Sequence, residues 1–170
     1  MIVVREEQPE DIQAIREVNL RAFGQTIEAD IVDKLRWNCK GLLSLVALIQ
    51  NQVVGHILFS LILLETESGT IDGMGLAPMA VLPEYQRQWI GTELIRAGIT
   101  KLEQQGCPFV IVLGHPEYYP RFGFEPANRY GVRSEWGVPD DTFMILLLNK
   151  SSMEKISGMA RYRPEFGEAM

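Results

Sequence analysis

The stretch Leu76-Ala77-Pro78-Met79-Ala80-Val81-Leu82-Pro83-Glu84-Tyr85-Gln86-Arg87-Gln88-Trp89-Ile90-Gly91-Thr92-Glu93-Leu94-Ile95 passes from the end of an apolar strand, through a polar loop, into the start of a helix. The first amides of such a helix lack intrahelical acceptors, and the macrodipole adds positive potential there. That combination suits a phosphate or pyrophosphate, with Arg87 adding charge and Gly91 admitting close backbone approach. The loop is neither a Walker loop, which ends Gly-Lys-Ser/Thr, nor a Rossmann Gly-x-Gly-x-x-Gly turn.

Downstream, Gly91 to Gln105 reads as a helix with Leu94, Ile95, Ile99 and Leu102 on one face, closed by Gly106 and Pro108. Phe109 to Leu113 is a continuous apolar run, the pattern of a strand buried on both faces. Strand, helix and strand in this order predict a right-handed crossover joining a parallel pair. A short helical turn at Glu117 to Phe122, a Gly- and Pro-rich loop to Asp141 and a strand at Phe143 to Leu148 follow.

Upstream, Gly73 to Val81 is a strand, preceded by a polar turn over Glu65 to Asp72. Ser44 to Ile49 and Val53 to Leu64 are apolar runs separated by Gln50-Asn51-Gln52, the mark of a hairpin. Ile2 to Arg5 opens the chain as a strand. Pro9-Glu10-Asp11 then starts a helix with Ile12, Ile15, Val18 and Ala22 at helical spacing, and a second helix spans Glu28 to Trp37. The fold class is therefore α/β with a mixed sheet: mostly antiparallel N-terminal strands and a central parallel pair, flanked by helices. Residues 1–150 read as one domain and residues 151–170 as its C-terminal tail or docking arm.

The 170 residues are 46% hydrophobic and 22% charged, a composition that excludes disorder, collagen and coiled coil. A net charge of −6 gives no footprint for nucleic acid. Cys39 and Cys107 form no CxxC pair, and with His56 and His115 the only histidines, no metal site is expected. Arg5, Glu6, Glu7 and Glu10 interrupt any signal-peptide core, and Val53 to Leu64 falls short of the roughly 18 residues that span a membrane. The expectation is a cytoplasmic protein with no membrane partner.

At Gln86-Arg87-Gln88-Trp89-Ile90-Gly91 the sequence resembles the GCN5-related N-acetyltransferases, whose central loop reads Gln/Arg-x-x-Gly-x-Gly/Ala. Leu113-Gly114-His115-Pro116-Glu117-Tyr118-Tyr119-Pro120-Arg121-Phe122-Gly123-Phe124 resembles the family's later segment, with a tyrosine four residues before a Gly-Phe pair. The wording, together with Arg161-Tyr162-Arg163-Pro164-Glu165-Phe166, is closest to the small bacterial YhbS-like branch. The resemblance implies a GNAT-like acyl-CoA N-acyltransferase fold, acetyl-CoA as cosubstrate and direct acetyl transfer to a primary amine of a small molecule or peptide. It assigns the pantetheine arm to the backbone of Met79, Ala80 and Val81, and the pyrophosphate to Gln86, Arg87, Gln88, Trp89, Ile90, Gly91 and Thr92. Tyr119 is the implied general acid, with Tyr118 as fallback. For the base, Glu28, Glu65, Glu67, Asp72 and His115 stay open. Trp89 departs from the family pattern: at a position of positive φ its side chain would be strained by roughly 1 kcal/mol or more. That departure keeps a second reading in view, an acyl-CoA-binding sensor with little or no turnover. Exposed strand edges and the C-terminal arm admit a homodimer.

Overall fold

In the computed structural model, which describes residues 1–153 and 155–169, the hairpin at Gln50-Asn51-Gln52 closes through two left-handed residues, Gln50 at φ 50° and Asn51 at φ 64°. Such a turn matches the right-handed twist of the strands it joins. It connects β2 (Leu43–Ile49) to β3 (Gln52–Thr66), with β1 (Val3–Glu6) antiparallel on the other edge of β2. β4 (Gly69–Val81) continues the antiparallel run, pairing from Gly55↔Val81 to Thr66↔Gly69. The polar stretch expected as a turn is thus mostly strand, and only Glu67 and Ser68 turn. Pairs such as Glu65↔Thr70 satisfy the backbone there, and a ribbon open to water on one face accepts polar side chains.

The crossover through α3 (Ile90–Gln104) places β5 (Phe109–Leu113) parallel to β4. β8 (Phe143–Leu147) and β6 (Glu125–Pro126) extend this side antiparallel. The loop expected before β8 also holds β7 (Val132–Ser134). Residues 158–161 form β9, which pairs with Leu63–Thr66 of β3 along the edge that β2 leaves after Phe59, and runs parallel to β7. β7 and β9 are a second parallel pair, beyond the central one that the sequence predicts.

Alternation along the central strands sorts the layers. Leu45, Ala47, Ile57 and Phe59 face the cluster that includes Ile90, Leu94, Ile95 and Leu102 of α3. Val46, Leu48 and Leu58 face Ile15 of α1 (Ile12–Phe23) and Ile31, Val32 and Leu35 of α2 (Ile27–Asn38). Arg16 ties these two helices, 3.0 Å from Asp30 and 2.7 Å from Asp33. On α3, Ile99 is only partly buried, and Gly98 takes the innermost place: a methyl there would stand 2.3 Å from the Phe59 ring. The sheet and α3 therefore touch at a point that only glycine allows.

The C-terminal turn Pro164–Ala169 lies against α2, with Phe166 in the α1/α2 cluster. The Asn38 amide donates to Glu165 at 3.0 Å, and the Arg163 guanidinium donates to the same carboxylate at 2.9 Å. Burial opposes the Glu165 charge, yet these hydrogen bonds outweigh it and hold the carboxyl down at about 2.

A buried polar relay crosses the core beneath α1. Asn19 Nδ2 lies 3.2 Å from His56 Nδ1, His56 Nε2 lies 2.9 Å from Ser44 Oγ, and the Ser44 hydroxyl donates to Glu7 at 2.6 Å. Arg36 completes it with two hydrogen bonds to Glu7. The donors run in one direction only if His56 is neutral with its proton on Nε2. Burial favours that form and pulls its pKa from 6.5 to about 3. The folded chain refuses a proton that the unfolded chain takes up below pH 6.5, so stability falls as pH drops from 6.5 toward about 3. The expected slope from this group approaches about 1.4 kcal/mol per pH unit. Urea melts between these limits check it, and a His56→Gln variant is expected to show a shallower dependence.

Candidate active site

The parallel pairing of β4 with β5 runs from Met74↔Val110 to Leu76↔Val112 and then stops. Beyond it β4 keeps β3 as its neighbour, with Met79 opposite Ile57, Ala80 opposite His56 and Val81 opposite Gly55. At the parting, Ala77 and Pro78 face the single residue Leu58 across the ladder. This is a β-bulge, and it bends the strand away from its partner. The result is a wedge between β4 and β5, with a free strand edge on one wall.

The loop after β4 leads into α3 through two left-handed residues, Arg87 at φ 64° and Trp89 at φ 69°. Trp89 is the N-cap of α3, and the first helical hydrogen bond runs from the Glu93 amide to the Trp89 carbonyl at 3.0 Å. The amides of Ile90, Gly91 and Thr92 therefore have no intrahelical acceptor. They border a cleft of about 390 Å³ that is also walled by Met79, Val81, Gln86, Arg87 and Trp89. Tyr118 and Arg121 also line it, and the Arg121 guanidinium lies 5.6 Å from the Tyr118 ring centre. Two arginines and a helix N-terminus thus border one cleft, a favourable field for a polyanion.

A second cavity of about 810 Å³ opens on the other side of the wedge. It shares Met79, Gln86, Arg87 and Tyr118 with the cleft, so the two join at the bulged end of β4. Tyr119 borders the second cavity, with its ring 5.2 Å from Tyr118 and 5.7 Å from Phe124, edge to face in both pairs. Gly114, at the end of β5, makes that position possible, since a methyl there would stand 2.4 Å from the Tyr119 ring. Among the described residues the Tyr119 hydroxyl has no hydrogen-bond partner, although the residue is buried. Burial, with a smaller effect from Tyr118, pushes its pKa up to about 12.

Of the residues expected at the site, Met79, Val81, Gln86, Arg87, Trp89, Ile90, Gly91 and Thr92 border the cleft. Ala80 sends its side chain into the core, and Gln88 turns back to donate to the Glu84 carbonyl at 3.3 Å. Among the candidate bases only Glu28 and His115 border the second cavity; Glu65 and Glu67 lie at the far end of β3, and Asp72 is on the exposed ribbon. Burial raises the Cys107 thiol above its ordinary pKa, and its Sγ donates to the Phe109 carbonyl at 3.2 Å, a poor setting for a nucleophile. Sequence reasoning missed Arg121 and the meeting of Trp136, Tyr162 and Phe166 in one aromatic wall. The one available signal for Arg121 was its place inside the Tyr-to-Gly-Phe segment. Among the described residues no cluster of three His, Cys, Asp or Glu side chains is placed to hold a metal ion, and no helix is long and apolar enough to cross a membrane.

Trp89 is left-handed and its side chain is 72% exposed, so the strain at its backbone is not repaid by burial. Trp89→Gly is expected to raise stability by about 1 kcal/mol, or about 2–4 °C in Tm for a chain of this size. A thermal melt in which the variant is no more stable than the parent would contradict that account.

A bulge thus opens the strand wedge, and the N-terminus of α3 stands beside it. The pattern of the Acetyltransferase (GNAT) family matches residues 12–124. The uncharacterized N-acetyltransferase YjhQ of Escherichia coli K12 is 44% identical over 134 residues, covering 77% of this chain and 74% of YjhQ. The uncharacterized N-acetyltransferase YhbS of the same strain is 31% identical over 166 residues, 97% of this chain and 98% of its own. The crystal structure of E. coli YhbS in complex with CoA superposes with a TM-score of 0.89 at 30% identity, covering 98% of this chain and 92% of that one. A GNAT acetyltransferase from Brucella melitensis in complex with acetyl-CoA gives 0.81 at 33% identity, covering 98% of each. The chain belongs to the GNAT acetyltransferase family and has its fold.

Proposed function

We propose that this protein is an acetyl-CoA-dependent N-acetyltransferase that moves the acetyl group to a primary amine of a small molecule or peptide by direct attack in a ternary complex. The observation that carries the reading is the junction of the two cavities at Met79 and Tyr118, beside the free edge of β4. A donor lying in the cleft and an acceptor in the second cavity meet only there. The residues fit such a donor: the open amides of Ile90 to Thr92, with Arg87 and Arg121, suit a pyrophosphate, and the unpaired edge of β4 suits an amide-bearing arm.

Acetyl-CoA supplies the acetyl group as a thioester. The amine nitrogen, once neutral, forms the new C–N bond and sheds one proton to solvent as the C–S bond breaks, and the departing sulfur needs a proton. Tyr119 donates it: its hydroxyl is not engaged elsewhere, and its raised pKa keeps it protonated at neutral pH. An amide of the bulged segment polarises the carbonyl under attack. Arg87, which borders both cavities, holds the donor against the net charge of −6.

Incubation with acetyl-CoA and a panel of amines tests the reading, with free thiol followed beside the thermal shift that acetyl-CoA induces. Thiol release that depends on the amine is the expected result. A thermal shift without release for any amine would instead identify an acyl-CoA-binding sensor, and absence of both would remove the donor assignment.

A further inference from the structure

The second cavity carries more information than its location. Phe23, Tyr118, Tyr119, Trp136, Tyr162 and Phe166 border it, six aromatic side chains around about 810 Å³. Trp136 and Tyr162 are 4.6 Å apart between ring centres and tilted by 39°, and Tyr162 meets Phe166 at 5.5 Å, nearly edge to face. These three form a continuous wall, and it is braced from behind. The Tyr162 amide donates to Glu135 at 3.0 Å, Arg161 bridges Glu65 at 2.9 Å, and Asn38 and Arg163 hold Glu165 next to Phe166. A wall fixed in this way loses little entropy when a flat ligand lies on it.

The non-aromatic polar side chains among its lining are Glu28, Gln86, Arg87 and His115. Among the described residues Glu28 is the only carboxylate on this cavity, oriented by Gln25 at 3.0 and 3.1 Å from its two oxygens. One carboxylate matches one ammonium. A polyamine would bring a second positive charge with no counter-ion among the described residues and with Arg87 on the same cavity, which costs free energy that an apolar body does not.

Resting on the acetyltransferase reading, we infer that the acceptor is a monoamine whose amino group is carried on an aromatic or similarly flat apolar body. The body lies against Trp136, Tyr162 and Phe166, and Glu28 receives the incoming ammonium. Tyr119 and the bulge of β4 form the reactive end of the same chamber.

Acetylation of 2-phenylethylamine, butylamine, putrescine and the tripeptide Ala-Gly-Gly by the intact protein tests this. The expected kcat/KM for 2-phenylethylamine exceeds each of the others by about tenfold or more. Trp136→Ala is expected to remove most of that preference, while Trp136→Phe keeps it. Glu28→Gln is expected to raise KM for the amine by about tenfold and leave KM for acetyl-CoA unchanged. Equal or better use of butylamine, putrescine or the tripeptide would overturn the inference and leave the acetyltransferase reading standing. Where no amine releases thiol, calorimetric binding of 2-phenylethylamine to the CoA-saturated protein decides the point. Binding at least about tenfold tighter than butylamine, and lost in Trp136→Ala, upholds the acceptor class although turnover has failed; equal or absent binding overturns it. A protein that shows no acetyl-CoA thermal shift fails the donor reading separately, and the same titration is then read on the free protein.

Discussion

Replacing Tyr119 with phenylalanine is expected to lower kcat by about a hundred- to ten-thousand-fold, the usual contribution of a positioned proton donor. The ring stays seated against Gly114, Tyr118 and Phe124, and the lost hydroxyl has no hydrogen-bond partner among the described residues, so stability is expected to change by less than about 0.5 kcal/mol. The acetyl-CoA thermal shift should also persist, because Tyr119 does not border the cleft of Arg87 and Arg121. Burial raises the phenol to about 12, so its ionisation removes no activity until pH approaches that value, and any earlier descending limb belongs to another group. Tyr118→Phe is the comparison: Tyr118 borders both cavities. If Tyr118→Phe abolishes turnover and Tyr119→Phe does not, the roles of the two tyrosines are exchanged.

The largest expected loss of stability lies behind the site, at Phe59. This ring is fully buried between β3 and α3, and its truncation to alanine is expected to cost about 3–5 kcal/mol. For a chain of this length each kcal/mol corresponds to about 2–4 °C in Tm. A double-mutant cycle sharpens the claim. Gly98→Ala alone places a methyl 2.3 Å from the Phe59 ring and is expected to destabilise by about 1–3 kcal/mol, despite the better helix propensity of alanine. On the Phe59→Ala background that methyl enters the vacated space, so the second substitution should be neutral or stabilising. Additive losses would show that α3 is not seated on this contact. Because Gly98 and the cleft amides share one helix, Gly98→Ala should also weaken the acetyl-CoA thermal shift.

The segment from β4 through the loop into α3 was legible because each part obeys a local rule: an apolar strand, a polar loop and a helix with a Gly and Pro ending. The same holds for the Gln50-Asn51 hairpin. Glu65 to Asp72 misled, since polar composition suggested a turn while the long partner strand and β9 hold the backbone extended. The handedness of Trp89 was open in the sequence, because a non-glycine residue at φ 69° is sustained by the surrounding loop and not by its own preference. The acceptor wall was illegible for a different reason. Trp136 comes from a different segment than Tyr162 and Phe166, and their meeting depends on β9 pairing with β3 and on Glu165 binding α2. No local periodicity encodes such a meeting. Glu28 and His115 were named among the candidate bases, but only the fold separates them from Glu65, Glu67 and Asp72.

The seat of β9 on β3 also sets an order of assembly. Residues through Arg121 contain both walls of the cleft, and they leave the ribosome well before residues 158–169, which finish the other chamber. Pairing across so long a stretch of chain is slow to find, because the intervening loop must first be closed. The residues of the cleft are therefore complete in a shorter length of chain than those of the aromatic wall.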